Sequence, residues 1–206
     1  MKLFEEIENS FGADLISYST IIKALCHCNR KILALEYLKK MIKSKINIDV
    51  SVLNLYLESC STKEDFKLGV DGYKFAMMSG IEPNEITFGI MVKVFGFARE
   101  LEKAFDLLDL MDVYKIEPSI IIFTNLIHIS FYCREVRKAE LAFSLFRKHN
   151  LDGDKLIYSK LIDGLLRFKH INKVPKYVKY CLDEKCSLNE KTIEGIQKYF
   201  NGEEMM

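Results

Sequence analysis

Cys26, His27 and Cys28 set three metal-capable groups on successive residues. On a helix, neighbouring side chains point about 100° apart, so these three cannot converge on one tetrahedral ion, and no second His or Cys pair stands beside them. Cys181 and Cys186 lie at the end of a predicted helix and also lack a partner pair. His128, His149 and His170 are dispersed, with no serine elbow or cysteine partner in motif context. Asp106, Asp109 and Asp112 recur at helical spacing on a polar side, as a solvated face does. Gly69, Gly72 and Gly80 lack the pattern of a phosphate loop. The expectation is a non-enzyme with no metal and no cofactor.

A second set of polar residues is periodic. Asp14, Asp49, Asn84, Ser119, Asp154 and Asn189 follow one another at intervals of 35, each just before a predicted helix. These types are preferred N-caps, whose side chains accept from backbone N–H groups that the helix leaves unpaired, and capping alone would account for them. Five residues further on, Ser19, Asn54, Gly89, Thr124 and Ser159 recur inside those helices, where a small polar residue contributes little to helix formation.

The elements that carry these residues are helical. In Glu85 to Ser119, Phe88, Met91, Val92 and Phe95 fall at three- and four-residue intervals, and Leu101, Ala104, Leu107, Leu108 and Met111 repeat the pattern. Gly96 to Arg99 is short enough to force an antiparallel hairpin, and the stretch Lys115 to Ser119, with Pro118, is expected to end the second helix. A slide of 35 aligns Ala34, Gly69, Ala104, Ala139 and Val174, then Tyr18, Leu53, Phe88, Phe123 and Tyr158, then Ile22, Leu57, Val92, Ile127 and Ile162. The spacing predicts an all-α fold in a single domain over 1–206, an α-solenoid of about five tandem antiparallel hairpins at 15–49, 50–84, 85–119, 120–154 and 155–189. Residues 1–14 read as a remnant second helix, so that Met1 begins inside an earlier repeat, as in a fragment. Residues 190–206 read as a capping helix, with Ile193, Ile196, Tyr199 and Phe200 as its apolar positions, and a frayed tail from Asn201.

Composition agrees with a folded body. Half of the 206 residues are hydrophobic and only three are proline, which excludes a disordered chain. No apolar run approaches the ~20 residues that span a bilayer. Glu5, Glu6 and Glu8 are unlike a secretory signal or an acid-poor transit peptide, so the compartment stays open. Six cysteines in a chain with this much apolar residue read as small buried groups in a reducing compartment.

Leu15 to Ile22, Glu85 to Phe88, Ala104 to Met111 and Ser79 to Asn84 resemble the pentatricopeptide repeat, and the resemblance covers nearly the whole chain. It departs from the pattern at Leu53 and Gly69, and at Gly153 and Leu188, where proline would be expected. It implies a right-handed superhelix binding single-stranded RNA along its concave face, one base per repeat. The implied reading residues are the fifth and last of each unit: Ser19 with Asp49, Asn54 with Asn84, Gly89 with Ser119, Thr124 with Asp154, and Ser159 with Asn189. A carboxylate accepts the ring N–H of guanine or uracil, whereas an amide donates to the ring acceptor of adenine or cytosine. The family's code then implies, 5′ to 3′, G, C or U, an undefined base, G, and A. Second-position residues Ile16, Ile86, Ile121 and Leu156 would clamp the bases, and Ser51 stands in their row. That reading requires the polar row to face outward.

Phosphate contacts are sparse, since the thirteenth positions His27, Thr62, Phe97, Tyr132 and Arg167 hold one permanent cation, Arg167. The first-helix halves nonetheless carry +5 and the rest of the chain −4, within a net charge of +1. Phe97 and Tyr132 are open to two readings, stacking on bases or packing between hairpins. The resemblance implies a monomeric, non-membrane adaptor in organellar RNA processing, stability or translation, in mitochondria or plastids. Two alternatives stand beside it: a helical scaffold for a protein partner, and the targeting half of a larger RNA-processing enzyme.

Overall fold

A computed structural model describes residues 14–44, 46 and 49–200. Of the remnant second helix expected at 1–14 only Asp14 is among the described residues, and the tail from Asn201 lies outside them. Eleven α-helices occur among those described: α1 (Leu15–His27), α2 (Lys31–Lys43), α3 (Val50–Ser59), α4 (Phe66–Met78), α5 (Glu85–Phe97), α6 (Leu101–Val113), α7 (Ile120–Tyr132), α8 (Val136–Lys148), α9 (Lys155–Arg167), α10 (Val174–Asp183) and α11 (Glu190–Phe200). A short 3₁₀ turn, Ile171–Lys173, leads into α10. The odd-numbered helices begin at 15, 50, 85, 120, 155 and 190, each 35 residues after the last.

Contacts divide the chain into two compact units, Met1–Leu107 and Leu108–Met206, the division falling inside α6. In the first unit α1 packs on α2 and on α3, α3 packs on α4 and α5, and α4 packs on α2 and α5. In the second unit α7 packs on α8 and α9, while α9 also packs on α8, α10 and α11. Each unit is therefore two layers, first helices beside first helices and second beside second. The aligned small residues Ala34, Ala104, Ala139 and Val174 are fully buried, as are Leu53, Phe88, Phe123, Tyr158 and the row Ile22, Leu57, Val92, Ile127 and Ile162. Gly69 belongs to the same set: a Cβ there would stand 3.2 Å from Cys60 Cβ and 3.3 Å from Val94 Cγ1, which explains the loss of a side chain at that departure. Gly153 is explained too, since its N–H donates to Glu184 Oε2 at 3.2 Å, a bond proline cannot make.

Helix ends are set by local hydrogen bonds. Asp14, Asp49, Asn84, Ser119 and Asp154 cap α1, α3, α5, α7 and α9 through their side chains. At the other ends, Asn29, Arg99, Arg134 and Lys169 adopt left-handed backbone, as do Gly80, Lys115, Asn150 and Lys185. The following N–H then turns back, as in Arg30 to Leu25 O (2.8 Å), Glu100 to Phe95 O (2.9 Å) and Ile116 to Met111 O (2.9 Å). The connector after α5 begins at Ala98 and not at the expected Gly96; α6 ends before the stretch from Lys115, as expected, but the left-handed turn at Lys115 closes it ahead of Pro118. The second hairpin uses another device: α3 ends early at Ser59, Thr62 and Asp65 exchange hydrogen bonds, and Lys31 Nζ reaches Asp65 Oδ2 at 2.5 Å. In α11, Thr192 is the buried residue, while Ile193 and Phe200 are exposed. Two of its four expected apolar contacts are thus turned to solvent, Ile193 among them, although the fourth residue of the other odd-numbered helices is buried.

Candidate nucleic-acid interface

The sequence-derived residues fall into three environments. The second-position residues Ile16, Ile86, Ile121 and Leu156 are exposed, at 73, 63, 61 and 47 %. They lie in the first turn of α1, α5, α7 and α9, where no layer covers them. Ser51, in the same row, is exposed and donates its hydroxyl to Asp49 Oδ2 at 2.7 Å.

The last-position residues ring the helix starts. Asp49 and Asp154 are exposed, and Asn84, Ser119 and Asn189 are half-buried. Asp154 Oδ1 accepts from Leu156 N and Ile157 N at 2.9 and 2.8 Å, Asp49 Oδ1 from Ser51 N at 3.0 Å, and the Ser119 hydroxyl from Ile121 N at 3.3 Å. Donation by the Ser51 backbone, then by its hydroxyl, holds the Asp49 carboxyl below its ordinary pKa, and Ser17 does the same for Asp14. Both are anionic at neutral pH.

The fifth positions are different from the expected outward row. Asn54, Thr124 and Ser159 are buried, at 7, 6 and 0 %, and Gly89 is buried as well. Ser19, half-buried, gives its hydroxyl back to Leu15 O at 2.6 Å. At Asn54 and Ser159 the start of the following odd-numbered helix folds over the side chain. Asn54 Nδ2 donates to Asn84 Oδ1 at 3.1 Å, and Asn189 N donates to the Ser159 hydroxyl at 2.9 Å. The structure thus brings together the fifth and last residues of a repeat once in each unit, 30 residues apart both times. Asp49 and Asp154 turn instead to the first turns of their own helices.

Arg167, in the last turn of α9, is exposed. The sequence reading missed the two groups near it. His128 on α7 has an exposed face, yet desolvation of its ring, and then the Lys160 and Arg167 charges, lower its pKa. His128 thus lies within electrostatic reach of Lys160 and Arg167 of α9. Lys160 and Arg167 stand two turns apart on α9, and the packing of α7 on α9 brings His128 toward them. Lys93 is the comparable cation of the first unit, but it is neutralised by Glu58, at 2.6 and 2.8 Å.

Among the described residues, no group of three or more His, Cys, Asp or Glu is placed to hold a metal ion, and no helix is long and apolar enough to cross a membrane. All six cysteines are free. Burial raises the Cys26 and Cys60 thiols, so neither is an activated nucleophile.

Known proteins share this architecture. The family model for the pentacotripeptide-repeat region of PRORP matches residues 17–206. A chloroplastic pentatricopeptide repeat-containing protein of Arabidopsis thaliana is 26% identical over 85 residues, covering 41% of this chain and 10% of that protein. A mitochondrial one from the same plant is 23% identical over 110 residues, covering 53% of this chain and 19% of that protein. The chain thus spans a tenth to a fifth of the length of these relatives. Among solved structures, the PPR domain of Arabidopsis thaliana protein-only RNase P 1, in complex with tRNA, superposes with a TM-score of 0.72 at 17% identity, over 88% of this chain and 96% of that one. Maize PPR10, in complex with an 18-nt psaJ RNA element, superposes with a TM-score of 0.73 at 16% identity, over 97% of this chain and 30% of that one. At such identities the likeness is one of fold. With tandem helical hairpins in each unit and a family model matched from residue 17 to residue 206, the chain belongs to the pentatricopeptide-repeat family.

Proposed function

We propose that this chain binds single-stranded RNA on its first-helix faces, one base per repeat, as a monomeric adaptor in organellar RNA processing, stability or translation. The observation that carries the reading is the row Ile16, Ile86, Ile121 and Leu156. Large apolar side chains left exposed at one register are what a stack of bases would cover. Beside them the last-position residues offer carboxylates at Asp49 and Asp154 and amides at Asn84 and Asn189. A carboxylate receives a ring N–H, which selects guanine or uracil, and an amide donates to a ring acceptor. Because three fifth-position side chains are buried, the last-position and second-position residues make the main contact, and the fifth residues act from beneath. Lys160 and Arg167 on α9 supply backbone phosphate contacts. The family repeats 15–49 to 155–189 set the base order G, C or U, an undefined base, G, A.

Titration with a labelled RNA of that order at several salt concentrations tests the proposal. Affinity should fall with salt by about 0.7 logarithmic units per phosphate contact and decade. A flat, negligible signal at low salt sinks it and favours the scaffold for a protein partner. Asp154→Asn should move the fourth base from G toward A, and unchanged preference would count against base reading there. A second reading has its own support: the matched family model is that of PRORP, and the PPR domain of protein-only RNase P 1 was solved with tRNA. On that reading the chain is the RNA-targeting part of a larger processing enzyme, and tRNA would compete better than an unstructured RNA of equal length.

A further inference from the structure

Side chains of α8 and α10, the second helices of the last two hairpins, enclose a cleft of about 480 Å³ within the second unit. Arg137, Glu140, Leu141, Ser144 and Arg147 line it from one face of α8, a strip about 15 Å long. Lys176, Tyr177 and Tyr180 line it from α10, and Phe143 forms the floor, edge-on to Tyr177 at 5.3 Å and stacked with Tyr180 at 6.3 Å between centroids. The carboxylates here are already engaged. Glu140 Oε2 accepts from Lys173 Nζ at 2.5 Å and its Oε1 from the Tyr177 hydroxyl at 3.0 Å. Glu184 pairs with Arg147 and accepts from Gly153 N at 3.2 Å. Four cations thus meet two carboxylates, and neither Arg137 nor Lys176 forms an ion pair with a described residue. Lys176 acts on Glu140 only at longer range, and its ammonium stands 5.3 and 5.9 Å from the Tyr177 and Tyr180 ring centroids. The repeat does not call for a cation at this register, which holds Glu36, Asp71, Asp106 and Leu141 in the preceding copies.

We propose that this cleft binds a small phosphate ester with a ring body, of the nucleoside monophosphate class, its phosphate held by Arg137 and Lys176. The two ion pairs across the helices already fasten α10 to α8, so the remaining two cations are free to take a ligand. A phosphate monoester carries a charge of about −1.5 to −2 at neutral pH, which two cations balance, and the guanidinium fork fits two of its oxygens at once. Ser144, exposed on the same strip, adds a hydroxyl donor. Leu141 is 42 % exposed and Tyr180 half-buried, which leaves an apolar wall for the organic part. The volume lies within the range of small-ligand sites, roughly 300–1,000 Å³. The site is on the second-helix layer and does not depend on RNA binding by the first helices.

Equilibrium dialysis of the full chain against labelled UMP, uridine and glycerol 3-phosphate tests the site. UMP should bind about tenfold or more tighter than uridine, which lacks the phosphate, and than glycerol 3-phosphate, which lacks the ring. Arg137→Gln and Lys176→Gln, both at exposed positions, should each weaken UMP about tenfold, the worth of one hydrogen bond to a charged group, while Lys176→Arg should retain it. All three variants should unfold in urea as the wild type does and keep its affinity for single-stranded RNA. No saturable UMP binding, equal binding of uridine or glycerol 3-phosphate, or UMP affinity unmoved in both glutamine variants overturns the site. A matching loss of RNA affinity in those variants overturns it too, since the cleft would then belong to the RNA track. UMP bound as expected by a chain that binds no RNA upholds the site and removes only the RNA-binding proposal.

Discussion

Ile121→Ala separates binding from folding more sharply than any core substitution. Ile121 is in the first turn of α7 and is 61 % exposed. Burying a whole isoleucine side chain is worth roughly 1.5–3 kcal/mol, so a base that covers the uncovered share gains about 1–2 kcal/mol. Removing the side chain beyond Cβ should therefore raise the dissociation constant about fivefold to thirtyfold. The free protein should hardly notice, because surface changes of this kind stay within about 0.5 kcal/mol. Ile127→Ala, on the same helix but fully buried, should behave in the opposite way and cost about 2–5 kcal/mol of stability. Fluorescence anisotropy with the labelled RNA, paired with urea unfolding followed by circular dichroism, reads both quantities. Unchanged affinity in a folded Ile121→Ala, repeated in Ile86→Ala, would refute the clamp and with it the main support for RNA binding on this face.

Three further outcomes test the structure. Gly164→Ala would drive a Cβ into the ring of Phe131, which is stacked on Phe168 at 5.8 Å between centroids; overpacking of about 1–3 kcal/mol outweighs the helix gain of about 1 kcal/mol, and a more stable variant would disprove the close approach. Lys115→Gly should stabilise by about 0.5–1 kcal/mol in urea unfolding, since Lys115 holds a φ of 56°, a conformation glycine adopts without strain; a loss of stability would show that the lysine side chain matters more. His128 has a lowered pKa, from desolvation and then Lys160 and Arg167, so the folded chain takes up its proton less readily than the unfolded one. Stability should then fall as pH drops through the unfolded value of about 6.5, and His128→Gln should flatten that fall between pH 7 and pH 5; equal slopes would contradict it.

How much of this was readable beforehand differs from residue to residue. The buried rows through Ala34, Phe88 and Ile127 follow from period alone, because a helix can bury only the side that its spacing makes apolar. The caps at Asp14, Asp49, Asn84, Ser119 and Asp154 were equally legible, being contacts within three residues. The helix stops were not, since Arg99, Arg134, Lys115 and Lys169 take left-handed backbone without the glycine that would have signalled it. Nor was the apolar side of α11, where Thr192 and not Ile193 is covered.

For the candidate interface the division is the same. Sequence by itself determined which residues recur at each register and which of them are carboxylates, amides or large aliphatics, because repetition and residue type need no coordinates. Only tertiary structure decided that Asn54, Thr124 and Ser159 are buried, that Asn54 meets Asn84, and that His128 lies within reach of the Lys160 and Arg167 charges. Each of those facts depends on how closely one helix of a layer lies against the next, a distance set by packing across some thirty residues of chain rather than by the spacing within any single helix.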